Sequence, residues 1–316
     1  MERVPLPPCL PGGAQPGALE AAIAGWVGSP AMADLVDCFG GAVPTGPLDS
    51  VLTGLVAFSA EHWDYRRGLE RYQMARLNFS PELDARVRAA VHALGFEGPA
   101  RPAFDRYDHM LVLGGGIRVL HARVEHAARL LTEGLRAGRV GGLGSLRETI
   151  DREKREALKL GLGEQKTEAQ VMDTALRNAL GLAAPIDERD GINEAGQDWW
   201  MRRYASEHGP VHVLAAPASR PGHRANTADT LAGWAAHVAR PEPEHRVLVV
   251  TSDADVPFQH CDAVRVLGVP YGCGVETVGL DPDVTARWLV PLSSTQLVQE
   301  VNSAVRSMRL LYESLR

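Results

Sequence analysis

Residues 107–118 read Tyr107-Asp108-His109-Met110-Leu111-Val112-Leu113-Gly114-Gly115-Gly116-Ile117-Arg118. A short apolar run breaks into three glycines, and helical spacing of apolar residues begins near Ile117. A strand that feeds a helix through a turn without side chains lets a ligand approach backbone N–H groups at the positive end of that helix. The stretch predicts an α/β fold, a Rossmann-like parallel sheet flanked by helices, with a binding site beyond one end of the sheet.

Downstream, strand and helix patterns alternate, as a parallel sheet requires. Strands are predicted at 109–113, 139–143, 211–215, 246–251 and 275–278, and helices over 119–136, 167–180, 226–238 and 258–267. A last helix, 294–315, sets Leu297, Val301, Ala304, Val305, Met308 and Leu311 on one face. That face suits packing on the sheet or on a second subunit, so a homo-oligomer is one expectation. Trp199, Trp200 and Tyr204 read as anchors of an inserted helix over 197–206.

Upstream, helical spacing dominates. Helices are predicted over 18–27, 31–39 and 48–61, and from Pro81 onward with Ser80 as cap. Gly98, Pro99 and Pro102 mark a connection over 95–102. The organisation is thus an N-terminal helical extension, 1–100, and a Rossmann-like ligand-binding domain, 101–316.

The chain has 316 residues, 45% hydrophobic and 23% charged, with a net charge of −6. That balance disfavours broad nucleic-acid binding. The sequence carries no apolar run of bilayer-spanning length and no apolar signal core near its start, so no membrane partner and a cytoplasmic location are expected. Four cysteines form no Cys-x-x-Cys pair, and 11 histidines form no His-Glu-x-x-His arrangement. No metal is expected.

Residues just after the strands are the candidates for chemistry. Gly114, Gly115 and Gly116 offer backbone donors, and Arg118 can add directed hydrogen bonds to a phosphate or carboxylate. Gly141-Gly142-Leu143-Gly144-Ser145 reads as a second glycine-rich turn that brings Ser145 to the rim. Thr167 can cap the helix that Glu168 opens, and capping alone explains both residues; alternatively Glu168 faces the site and accepts from a hydroxyl or amine. Residues 152–159 read as a solvated helix face. Asn226, Thr227 and Asp229 form a polar set that could hold a ribose or cap a helix. Thr251, Ser252, Asp253 and Asp255 crowd two hydroxyls and two carboxylates into five positions. Glu168, Asp229 and Asp255 are the candidates for a general acid or base, given burial that raises the pKa. In the extension, His62-Trp63-Asp64-Tyr65-Arg66-Arg67-Gly68-Leu69-Glu70-Arg71 reads as an amphipathic helix with an Arg66–Glu70 pair, or as a stacking and anion surface built from Trp63, Arg66 and Arg71.

The order of these segments, strand-Gly-Gly, Thr-Glu-Ala at a helix start, Asn-Thr-x-Asp, then Val-Val-Thr-Ser, resembles the DUF218 family of YdcF-like proteins over about 108–268. Matching positions are Gly114 to Gly116, Glu168, Asn226, Thr227, Thr251 and Ser252. Departures fall at Arg224, Asp229, Thr230 and Asp255, where the family has Ser, Glu, Asn and His. The resemblance implies a Rossmann-like domain that binds S-adenosylmethionine or another nucleotide-type ligand, and a transferase or hydrolase acting on such small molecules. The alternative is a non-catalytic binding or regulatory protein. A Gly-x-Ser-x-Gly elbow is absent, which disfavours a serine hydrolase. A conventional methyltransferase would place a carboxylate after the second strand, where Leu143-Gly144-Ser145 stands.

Overall fold

Serine at positions 29, 80 and 293, threonine at 167 and asparagine at 226 each turn a side-chain oxygen onto an amide of the following turn and so begin a helix. The computed structural model describes residues 1–67, 74, 77–96 and 101–316. Four helices come first: α1 (Pro16–Val27), α2 (Pro30–Asp37), α3 (Leu48–His62) and α4 (Pro81–Ala93). There follow β1 (Arg106–Leu113), α5 (Ile117–Thr132), β2 (Arg136–Ser145), α6 (Asp151–Lys159), α7 (Glu168–Leu180), β3 (Asp187–Ile192), β4 (Asp198–Tyr204) and β5 (Val211–Ala216). The remainder is α8 (Thr227–His237), β6 (Arg246–Val250), α9 (Val256–Ala263), α10 (Val269–Tyr271), β7 (Gly274–Val278), α11 (Pro282–Trp288) and α12 (Ser294–Ser314).

Among the described residues the strands form one seven-stranded sheet, ordered β3-β4-β5-β2-β1-β6-β7. The run β5-β2-β1-β6-β7 is parallel, which gives the predicted Rossmann-like α/β sheet. The chain progresses leftward from β1 through β2 to β5 and then crosses back to β6, so the switch point lies between β1 and β6.

Two local expectations are corrected. Residues 197–206 hold a strand, not a helix: β4 pairs antiparallel with β5 and with β3, and the turn between β3 and β4 closes with Gly196 at φ 72°. The free edge of β5 needs a partner, and the aromatic side chains of β4 suit a pleated surface. Trp199 stacks on His237, ring centroids 3.9 Å apart, while Tyr204 donates to Asp173 of α7. The second correction concerns Gly141 to Ser145, which lie inside β2 rather than in a turn. A Cβ on Gly144 would stand 2.7 Å from Ala169 Cα, so the glycine lets α7 press onto the strand. Gly144→Ala is expected to cost about 1–3 kcal/mol by forcing α7 outward, measurable by urea denaturation; an unchanged midpoint would contradict that contact.

Each face of the sheet has its own core. On one, Ile117, Leu120, Val124, Met172 and Leu176 cover Met110, Val112, Val140, Val213 and Val250. On the other, Leu111, Leu143, Leu214, Val247 and Val249 join a contiguous cluster that takes in Trp234, Val298, Val301, Val305, Met308 and Leu311, and, from the first helices, Trp26, Leu35, Leu52 and Leu55. The apolar stripe of α12 is therefore buried within this chain, against α9 on one side and α1, α3 and α4 on the other. Trp63 lies in that core, edge-on to Phe39 and Phe58; Glu70, Arg71 and residues 97–100 fall outside the described residues.

At the amino end of the sheet, His109 of β1 and His212 of β5 are buried on either side of Trp234, each edge-on to the indole at 5.8 Å. His109 Nε2 meets His245 Nδ1 at 3.2 Å. Burial, with His245 and Arg139 nearby, pushes the His109 pKa down to about 4; burial and Arg139 do the same for His212.

No helix among the described residues is long and apolar enough to cross a membrane. Among the same residues no group of three or more His, Cys, Asp or Glu side chains is arranged to hold a metal ion.

Candidate functional site

The carboxyl ends of β1, β2, β5 and β6 carry the sequence-predicted polar residues to one rim, where they fall into three groups. The first surrounds Glu168. Thr167 and Gln170 exchange hydrogen bonds in a capping box, so Thr167 alone satisfies the helix start and Glu168 is left to point elsewhere. Its Oε2 accepts from Ser145 Oγ at 2.6 Å, the Gly115 N–H donates to the carboxylate, and Arg147 Nε stands 3.8 Å away. Gly114 is required here, because a Cβ would collide with Glu168 Oε1 and approach Leu143 O at 2.8 Å. Burial raises the Glu168 pKa against the opposing pull of Ser145, Arg147 and Arg224, which favours the protonated acid.

The second group fills the switch point. Arg123, on α5 and 2% exposed, sends Nη2 to Asp255 Oδ2 at 2.6 Å and Nε to Ser252 Oγ at 3.1 Å. Its Nη1 donates to the carbonyls of Leu113 and Gly114. Ser252 and Asp255, expected on a pocket floor, therefore serve a guanidinium of the same chain. Arg123 escaped the sequence reading, yet a signal existed: it lies three residues after Leu120 and four before Ala127, on the buried stripe of α5, where an unpaired charge would be prohibitively costly.

Structural closure explains the third group as well. Asn226 Oδ1 accepts from the Asp229 N–H and Asp229 Oδ2 accepts from the Asn226 N–H, both at 3.0 Å, a reciprocal cap for α8. Thr227 accepts from Gln259 Nε2 at 3.2 Å, and Thr251 donates to Gln259 Oε1. Arg224, just before this cap, is exposed and acts electrostatically on Glu168.

The start of α5 differs from these closed ends. Its N-cap is Gly116, without a side-chain cap and with no acidic residue in the first turn. A Cβ on Gly116 would meet nothing within 4 Å, and one on Gly115 would make only ordinary contacts at 3.5 Å. Packing within the chain thus accounts for Gly114 but not for its two neighbours. Arg118, in the first turn, reaches Glu156 Oε1 of α6 at 3.6 Å, and Arg147 grips both oxygens of Glu153 at 2.8 and 2.9 Å. Two surface hollows, about 340 Å³ between Val27 and Pro44 and about 220 Å³ beside Arg88 and Pro291, lie apart from this rim.

Residues 10–95 match the family model described as the Rv3785 N-terminal domain. The chain is similar to the uncharacterized protein Rv3785 of Mycobacterium tuberculosis (strain ATCC 25618 / H37Rv) and to the uncharacterized protein Mb3814 of Mycobacterium bovis, each 29% identical over 327 residues that cover 92% of this chain and 88% of the relative. No solved structure matches. These findings overturn the resemblance to the DUF218, YdcF-like family, since the matching model and the relatives are of the Rv3785 type. The physical reason lies in the motifs themselves: Thr-Glu-Ala and Asn-Thr-x-Asp are capping solutions that any helix following a parallel strand can adopt.

Proposed function

We propose that the chain binds a small molecule through an anionic group, of the phosphate type found in nucleotides, seated at the amino end of α5, with Glu168 beside it as the proton-carrying residue. The supporting observation is the uncapped start of α5 behind Gly115 and Gly116, whose open backbone nothing inside the chain requires. A helix end with free amides and no carboxylate favours an anion. Arg118, Arg147 and Arg224 add positive charge around it, and Arg220 and His223 of the same rim loop are exposed.

S-adenosylmethionine was expected through the withdrawn resemblance and fits these residues poorly. The carboxylate nearest the end of β2 is Glu168, already engaged by Ser145 and the Gly115 N–H rather than free for ribose hydroxyls. A purely binding or regulatory role, without turnover, is favoured by one observation: Arg123 fills the crevice between β1 and β6.

Titration calorimetry of the purified chain with inorganic pyrophosphate and ATP tests the proposal, and product analysis after incubation with ATP separates binding from turnover. Gly116→Asp places a capping carboxylate where the backbone is already extended at φ −61° and ψ 152°. It is expected to stabilise the fold by roughly 0.5 kcal/mol and to abolish anion binding. Unaltered affinity in that variant, or no saturable binding by the original chain, would reject the site.

A further inference from the structure

We infer that α6 is a built-in competitor for the ligand: its Glu153 and Glu156 hold Arg147 and Arg118 in the chain alone, and an incoming anion takes those arginines over. The inference rests on the anion site proposed above and concerns its regulation. Both arginines belong to that site by contact. Arg118 lies in the first turn of α5, and Arg147 stands 3.8 Å from the carboxylate to which the Gly115 N–H donates. Each is turned toward a carboxylate of the same short helix, Arg147 with a two-pronged grip on Glu153 and Arg118 at 3.6 Å from Glu156. Carboxylate and phosphate present similar oxygen edges to a guanidinium, so the α6 side chains occupy the arginines in the manner a ligand would.

The construction of α6 suits a displaceable cover. Only Glu153 and Ala157 of its nine residues are buried, and Leu158 is 56% exposed. Its base is fixed separately: Thr149 donates its backbone N–H to Lys166 O and its hydroxyl to Gln165 O, and Leu162 enters the core beyond the far end. The two ion pairs can therefore break without releasing the segments on either side. Segments held by few apolar contacts open at low free-energy cost. A helix meant only to cover the sheet face would present more apolar surface to it.

Inorganic pyrophosphate is the probe. In the Glu153→Gln/Glu156→Gln chain, the amide oxygen introduced at position 153 still accepts from the Ile150 N–H that Glu153 now caps, so the helix start survives while both charges go. Pyrophosphate should bind this variant roughly tenfold more tightly than the original chain, because no internal carboxylate has to be displaced. In the original chain, pyrophosphate should speed amide hydrogen exchange across 151–159, a readout independent of how the variant folds. Equal affinity in both chains, or slower exchange across α6 on binding, overturns the competitor and leaves the anion site standing. Binding to neither chain overturns the site and with it the competitor.

Discussion

Asp255→Ala is expected to lower the unfolding free energy by about 3–5 kcal/mol, because it strands the Arg123 guanidinium in the interior with no opposing charge. Asp255 and Arg123 are both nearly excluded from solvent, and they meet at 2.6 Å at the switch point between β1 and β6. The bonds from Arg123 to Ser252 and to the carbonyls of Leu113 and Gly114 would remain, but dipoles do not replace a counter-charge at that depth. Since a domain of ordinary stability has about 5–15 kcal/mol in all, the variant should sit near the edge of unfolding. Urea titration followed by circular dichroism measures the loss. Removing both partners with apolar side chains, Arg123→Met with Asp255→Leu, should recover most of it. A single-variant loss below about 1 kcal/mol would mean that water reaches the pair and that it does not close the crevice.

Acid should be the second large perturbation. His109 and His212 carry native pKa values of about 4, depressed mainly by burial, against an unfolded value near 6.5. Between those two values the unfolded chain takes up protons that the native chain refuses, so stability falls as pH drops from about 6.5 toward 4 and is fully retained above that window. Each histidine contributes on the order of 3 kcal/mol to the loss. Glu168 opposes part of it, since its raised pKa lets the native chain keep a proton above the unfolded carboxyl range. Unfolding free energies measured from pH 7 to pH 4 should therefore slope downward, and His212→Phe should flatten the slope. The same slope in the variant would remove the buried imidazole from the explanation.

Periodicity exposed most of the architecture in the sequence. The apolar runs of β1 and β6, the glycine triplet and the stripe of α12 each follow from one repeating physical demand, and all lie where expected. The β3–β4 hairpin escaped because β3 reads Asp-Glu-Arg-Asp-Gly-Ile, with largely solvated side chains; an edge strand with little to bury has no apolar alternation to reveal. The glycines of β2 misled in the opposite sense, since close approach of a helix and a tight turn ask for the same residue. Of the site, Gly114, Ser145 and Glu168 do gather, which the position of each after a strand foretold. What stayed hidden was which polar groups satisfy one another. Asn226 with Asp229, or Ser252 and Asp255 with Arg123, are pairings that only the packed chain decides.

The placement of α12 between the first helices and the sheet carries a consequence for biosynthesis. While the ribosome is still making the sheet, Trp26, Leu35, Leu52 and Leu55 lack the side chains of α12 that will cover them, and they keep waiting until residues 294–314 emerge. The nascent protein thus passes through a long interval with sticky leading helices, a period in which chaperones or premature self-association would have their best opportunity.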